Sequence, residues 1–193
     1  MNREEWLGKL TEKMRLWYPT ATPIPDRLRL TCGWPSKGAF SAKKRRVGEC
    51  WTRLASGDNT TEVFISPCVA DSAEVGAILA HELVHACGAT GHRASFKRIA
   101  ESIGLEGPMR STVASTSLKE RLNALVTELG PYPHAVLDKT QGPHKKDGTR
   151  LIKCVCCDCG YTVRTTRKWL EHGFPLCPNG TTMEEEIKGG DSQ

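Results

Sequence analysis

Hydrophobic positions recur with a helical period near the start of the chain, shift to short strand-like runs between residues 28 and 66, and return to a helical period from residue 71. Trp6, Leu7, Leu10, Met14 and Trp17 share one helical stripe and predict an amphipathic first helix that ends before Pro19. Its tryptophans read as core. Leu28 to Cys32 reads as a short strand, and the loop Gly33-Trp34-Pro35-Ser36-Lys37-Gly38 leads to a second strand over Val47 to Leu54. Thr61 to Ser66, β-branched and aromatic, makes a third strand stopped by Pro67. Asp71, with Glu74 three residues on, then gives a capping pattern ahead of an apolar run at helical spacing. Phe96, Ile99, Ala100 and Ile103 form a further helical stripe, and Ser117 to Leu129 a helix terminated by Gly130-Pro131. Short antiparallel strands followed by packed helices predict an α+β domain.

The rhythm stops beyond residue 138. Gln141 to Gly148 is polar and rich in turn-formers, which marks residues 139–150 as a linker between a domain at 1–138 and a cysteine module at 151–183. Residues 184–193, opening with Glu184-Glu185-Glu186, read as an acidic disordered tail. No internal repeat is visible.

Composition narrows the class. A chain of 193 residues with 38% hydrophobic positions supports one moderate core and a small appendage. No stretch approaches the roughly 18 uninterrupted apolar residues of a membrane span. Met1-Asn2-Arg3-Glu4-Glu5 lacks the basic start and apolar run of a secretion signal, so a cytoplasmic location is expected, without a membrane partner. The net charge is +5 and unevenly placed. Between residues 140 and 180, Lys145, Lys146, Arg150, Lys153, Arg164, Arg167 and Lys168 outweigh Asp147, Asp158 and Glu171, and Lys43-Lys44-Arg45-Arg46 forms a second basic run. Clustered positive charge is the footprint of a nucleic-acid binder, or of a solvated loop.

The chemistry concentrates in His81-Glu82-Leu83-Val84-His85, an HExxH sequence on the predicted helix. Positions four apart share a helix face, so His81 and His85 can present ring nitrogens to one zinc ion with Glu82 beside it. A catalytic zinc takes three protein ligands and leaves a position for water. His92 is the natural third ligand, because Gly88 and Gly91 let the chain stop the helix and swing back. In this reading Glu82 is the general base of an amide-bond hydrolysis.

Five of the nine cysteines, Cys154, Cys156, Cys157, Cys159 and Cys177, crowd into the last quarter of the chain, a pattern that in a reducing compartment favours zinc over disulfides. Cys156-Cys157-Asp158-Cys159-Gly160 is a metal knuckle and Cys177-Pro178 opens a partner, as in a zinc ribbon. Asn179 and Gly180 stand where a regular second knuckle carries its fourth ligand, so His172 or Cys154 must complete the shell. Cys32, Cys50, Cys68 and Cys87 read as small buried hydrophobes.

Taken together, Gly33-Trp34-Pro35, Val47-Gly48-Glu49-Cys50-Trp51, Phe64-Ile65-Ser66-Pro67, the His81 to His92 motif with Phe96 four residues later, Gly130-Pro131-Tyr132-Pro133-His134, Cys159-Gly160-Tyr161 and Trp169-Leu170 resemble the SprT-like metallopeptidase family, in particular its small phage and bacterial members. The resemblance implies a zincin-like fold with His81, His85 and His92 on zinc and Glu82 as base. It also implies that the strand ending at Ser66 lies beside the cleft, where an extended substrate adds as a further strand. Relatives of the Spartan type are DNA-dependent proteases that degrade proteins trapped on DNA. Carried over, this makes Lys145, Lys146, Arg150, Lys153, Arg164, Arg167 and Lys168 the DNA-facing residues.

Two side-chain sets have alternative roles. Tyr132 and His134 are either oxyanion donors at the cleft or a structural turn held by Pro131 and Pro133. Tyr161, Trp34 and Trp169 have rings able to stack on unpaired bases, with Trp169 expected in the core. The expected activity is that of a zinc endopeptidase acting on DNA-bound or DNA-crosslinked proteins. The alternatives are a DNA-independent protease cleaving a specific regulator and a non-enzymatic zinc-containing DNA-binding or adaptor protein.

Overall fold

Why the first helix starts where it does is visible in its cap. In the computed structural model, which describes residues 1–41, 45–138, 141 and 151–186, Asn2 Oδ1 accepts from Glu5 N at 2.8 Å and Glu5 Oε2 accepts from Asn2 N at 2.9 Å. Helix α1 (Arg3–Met14) buries Trp6, Leu7, Leu10, Thr11 and Met14. A 3-10 turn, Arg15–Trp17, follows and carries Trp17 out of the helical stripe, where the Arg121 guanidinium lies over its ring at 4.5 Å.

Three strands form the first sheet: β1 (Leu28–Cys32), β2 (Gly48–Trp51) and β3 (Thr61–Ile65), in the order β1-β3-β2. β2 runs antiparallel to β3, but β1 runs parallel to it, with Leu28 opposite Thr61 and Cys32 opposite Ile65. The expected antiparallel arrangement is therefore corrected to a mixed sheet. After β1 the chain crosses to the far edge for β2, and β3 inserts between them. β2 also ends earlier than its apolar pattern suggested, since Arg53–Ala55 is a 3-10 turn.

Alternation sorts the side chains of the sheet. Val63 and Ile65 are buried in the core, with Gly48 and Cys50 as their cross-strand neighbours, while Glu62 and Phe64 pair with Trp51 and Glu49 on the other face. On the core face lies helix α2 (Ser72–Ala86), started by Asp71, whose side chain accepts from Glu74 N at 2.8 Å. Val75, Leu79, Ala80, Leu83 and Val84 of α2 join α1, β3, α3 (Ala94–Ile103) and α4 (Thr116–Leu129) in one core. Between α3 and α4 a hairpin of β4 (Leu105–Glu106) and β5 (Val113–Ala114) appears that the periodicity did not predict. The Tyr18 hydroxyl donates to the Ala80 carbonyl at 2.8 Å, and burial holds that phenol well above its ordinary pKa.

The chain divides into units 1–140 and 141–193. The second unit holds a sheet of β6 (Ile152–Val155), β7 (Thr162–Thr165) and β8 (Glu184–Glu185), with β6 in the middle, and a short helix α5 (Arg167–Leu170). Cys154, Leu170 and Met183 are its buried centre, with Cys156 and Cys177 beside them. Two expectations are overturned here. The acidic residues 184–186 are not a disordered tail: β8 pairs with β6, Glu185 accepts two bonds of 2.8 Å from Arg167, and Glu186 accepts from Lys153. Trp169 is not core, since 60% of it is exposed. Residues 187–193 and the greater part of 139–150 lie outside the described residues.

The architecture is α+β, mixing helices with short sheets. Among the described residues, no helix is long and apolar enough to cross a membrane.

Candidate active site and metal centres

One turn of α2 separates His81 from His85, so both rings leave the same face of the helix. After the C-cap at Cys87 the chain reverses through Gly88 and Gly91, both left-handed at φ 92° and 81°, and brings His92 back. His92 Nε2 then stands 3.2 Å from His81 Nε2 and 3.3 Å from His85 Nε2. Imidazoles sharing one tetrahedral ion at bonds of about 2.0–2.1 Å stand about 3.3–3.4 Å apart. The separations fit a shared metal ion.

The outer nitrogens are held as ligands require. His85 Nδ1 lies 2.7 Å from the Ala89 carbonyl, which can only accept, so Nδ1 carries the proton and Nε2 keeps its lone pair. His81 Nδ1 lies 2.8 Å from Thr112 Oγ1, supplied by the unforeseen β4–β5 hairpin. Phe96 forms a platform beneath all three rings, its centroid 4.8, 4.6 and 4.9 Å from those of His81, His85 and His92. Burial and the neighbouring imidazoles press His81 down to about 3, and burial lowers His85 and His92 too. Neutral imidazoles are the form that binds a metal.

Glu82 is 7% exposed. Burial pushes its carboxyl up to about 8, against the lowering effect of the Arg46 charge. Its packing partner is the backbone of Gly48 in β2, where a Cβ would stand 2.5 Å from Glu82 Oε1. Arg46 is anchored by Glu49, which accepts from it at 2.5 Å and also from Ser36 N, Ser36 Oγ and Trp51 Nε1. Although burial opposes it, these bonds hold Glu49 below its ordinary pKa. The sequence reading does not single out Thr112 or the backbone of Gly48. Gly107-Pro108 is the available sign of a turn near Thr112, and Gly48 enters the sequence pattern only within the Val47 to Trp51 motif, without a sign of its contact with Glu82.

Tyr132 and His134 follow the structural-turn reading. Tyr132 is buried, tilted against Trp6 at 5.1 Å, and His134 Nε2 meets the Pro67 carbonyl at 2.9 Å. Trp34 stacks on Phe40 at 4.7 Å and lines a cavity of about 430 Å³ with Glu49, Trp51 and Phe64, on the sheet face away from α2. Cys32, Cys50, Cys68 and Cys87 are half-buried, and burial raises the Cys50 and Cys87 thiols to about 12.

In the second unit Cys156, Cys159 and Cys177 gather with their sulphurs within 4.8 Å of one another, Cys159 and Cys177 at 3.4 Å. Backbone N–H groups of Cys159 and Asp158 donate to Cys156 and bring it down to about 7. Thiolates on one tetrahedral ion at about 2.3 Å stand about 3.8 Å apart, so this group also suits a metal ion. The expected fourth ligands do not join it. His172 lies beside Trp169, ring centroids 6.0 Å apart, and Cys154 is buried within β6, its thiol raised by desolvation.

The basic residues divide. Lys153 Nζ pairs with Glu186 at 2.5 Å and Arg167 with Glu185 at 2.8 Å, whereas among the described residues Arg164 and Lys168 are exposed with no carboxylate partner. Lys168 Nζ instead lies 5.5 Å over the Trp169 ring, and Tyr161 is exposed nearby in sequence. Lys43, Lys44, Lys145, Lys146 and Arg150 lie outside the described residues. No family model, curated protein or solved structure matches the chain.

Proposed function

We propose that this chain is an intracellular, zinc-dependent endopeptidase of SprT type that associates with DNA and acts on DNA-bound or DNA-crosslinked proteins. The observation that carries the hydrolytic part is the convergence of three imidazole Nε2 atoms, with the buried carboxyl of Glu82 next in sequence to His81 on α2. On this reading the first unit is zincin-like, the second is a zinc ribbon, and His81, His85 and His92 hold the catalytic ion. When bound, zinc lowers the pKa of water towards neutrality and polarises the scissile carbonyl.

Glu82 takes the proton from the attacking water and delivers it to the departing amine. Thr112 and the Ala89 carbonyl hold the ligand rings in one tautomer and orientation. The substrate strand belongs on β2 rather than β3. Along Thr61–Ile65, β3 has a neighbour on each side, whereas β2 is a sheet edge and its Gly48 touches Glu82.

DNA association rests on the exposed cations Arg164 and Lys168 and the exposed rings of Trp169 and Tyr161, with Lys168 lying over Trp169, groups suited to phosphates and unpaired bases. The ion pairs that occupy Lys153 and Arg167 favour a second reading, a DNA-independent protease directed at a specific regulator. Incubating the zinc-loaded protein and Glu82→Gln with a DNA-binding protein, without DNA, with single strands or with duplex, tests both. Cleavage by the unaltered protein only when DNA is present supports the first reading. Equal cleavage without DNA supports the second, and cleavage by Glu82→Gln overturns the assignment of the base.

A further inference from the structure

The three gathered thiols of the second unit leave one corner of a tetrahedron to be filled, and structural zinc sites are almost always closed by four protein ligands. His172 is turned to Trp169, and Cys154 is enclosed in the small core beside Leu170 and Met183. Cys157, adjacent in sequence, is exposed with its thiol 3.6 Å from Asp158 Oδ1. Among the described residues, the Asn179 side chain reaches one of the three sulphurs. The Asn179 carboxamide lies across Cys156, with Nδ2 3.7 Å and Oδ1 3.9 Å from the sulphur.

We propose that the carboxamide oxygen of Asn179 is the fourth ligand of the cysteine-bound metal, giving a site of three thiolates and one neutral oxygen. A sulphur and an oxygen on the same tetrahedral zinc, at bonds of about 2.3 and 2.0–2.2 Å, stand about 3.5–3.7 Å apart. The observed 3.9 Å lies about 0.2 Å beyond that range. Oδ1 also accepts from Thr181 N at 3.0 Å, which fixes the amide's orientation and leaves its second lone pair for the ion. The local backbone keeps Asn179 in place: Gly180 N donates to the Cys177 carbonyl at 2.8 Å and Cys177 N to the Thr181 carbonyl at 2.8 Å. The position three residues beyond Cys177, where a knuckle spaced like Cys156–Cys159 would bring its second ligand, is Gly180, and Asn179 is the residue just before it. Replacing a thiolate with a neutral amide makes the shell less negative and its ion easier to extract.

This inference rests on the metal reading of the cysteine group and is independent of peptidase activity. Cobalt(II) titration of the full chain tests it. Thiolate-to-cobalt charge transfer reports only the cysteine site, because the histidine site has no sulphur. The unaltered protein should show three-thiolate intensity per bound ion. Asn179→Cys should raise that intensity by about a third, as a fourth thiolate joins. Asn179→Asp should retain or tighten binding, and Asn179→Ala should weaken it at least about tenfold in competition with a chelator, while His172→Ala leaves it unchanged. No gain in intensity for Asn179→Cys overturns the proposal, as does weakening by His172→Ala. Charge transfer unaffected by any variant at Asn179, with chelator competition equally unaffected, also overturns it. Failure of the protein to cleave any substrate would defeat the peptidase reading and leave these outcomes intact.

Discussion

Gly48 of β2 lies flush against the carboxylate of Glu82: a Cβ on Gly48 would stand 2.5 Å from Glu82 Oε1, 2.8 Å from its Cγ and 2.8 Å from Ile78 Cγ2. Neither neighbour can retreat easily, because Glu82 is buried and Ile78 packs against the core. The close approach confines the carboxylate against β2. Gly48→Ala is therefore expected to displace Glu82 while leaving the three imidazoles in place. A misplacement of about 1 Å can cost on the order of 100-fold in rate, so kcat should fall by about that much with zinc content unchanged. Loss of zinc together with activity would show instead that the substitution unfolds the helix–sheet packing.

The Thr112 hydroxyl, 2.8 Å from His81 Nδ1, is the one side-chain partner of a ligand ring's outer nitrogen among the described residues. The corresponding support for His85 is a backbone carbonyl, beyond the reach of substitution. Thr112→Val keeps the shape and removes the hydrogen bond. Metal affinity at the histidine site should fall about 10–100-fold, with Thr112→Ser close to the unaltered protein. Competition against a chromogenic chelator measures both, and equal affinity for Thr112→Val would remove Thr112 from the site.

How far these relationships are legible from the sequence depends on how local they are. The strand Leu28–Cys32, the cap at Asp71 and the helix carrying His81 and His85 fall at their expected places, because periodicity and capping act within a few residues. His92 is legible because glycines announce a reversal. Strand order is not, since β1 and β3 lie side by side although β2 comes between them in sequence. Thr112 reaches His81 from the edge of a two-residue strand too short to show a period. Residues 184–186 look like a solvated acidic end, and what orders them are basic partners 18 and 33 positions earlier. Hydrophobicity alone places Trp169 in the core, but Leu170 occupies that position on the four-residue α5.

Glu82 also makes the stability of the metal-free protein depend on pH. Its carboxyl titrates near 4.5 when unperturbed and is raised to about 8 in the folded protein, so folding favours the protonated form. That contribution is fully present below about pH 4.5 and is lost as pH rises through about 8. The three lowered imidazoles add stability as pH rises towards 6.5 in both proteins, so the Glu82 contribution is read as a difference: the thermal midpoint of the metal-free protein should fall, relative to that of Glu82→Gln, as pH rises across this window. Added zinc should flatten the difference, since a nearby cation favours the carboxylate. Parallel pH profiles for the two metal-free proteins would contradict the burial argument.

The charges of the second unit make a prediction that separates the DNA-dependent reading from its rival. Removing one cation that touches a phosphate should reduce the slope of log affinity against log salt by about 1. Arg164→Ala and Lys168→Ala are expected to do so, because those cations are exposed and have no carboxylate partner among the described residues. Arg167 is held by both oxygens of Glu185, so Arg167→Ala should change the slope little, whereas Glu185→Gln should release the guanidinium and steepen it. Its ion pair is substantially exposed and solvent-screened, so it adds little to stability and the fold stays intact in both variants. Trp169→Ala should cost about 1–3 kcal/mol on single strands and far less on duplex, where the bases are already stacked. Fluorescence anisotropy over a salt series, with single-stranded and duplex oligonucleotides, reads all of these. Binding that is weak, independent of salt and indifferent to Arg164, Lys168 and Trp169 would count against the DNA-facing surface and leave the regulator-cleaving protease as the better account.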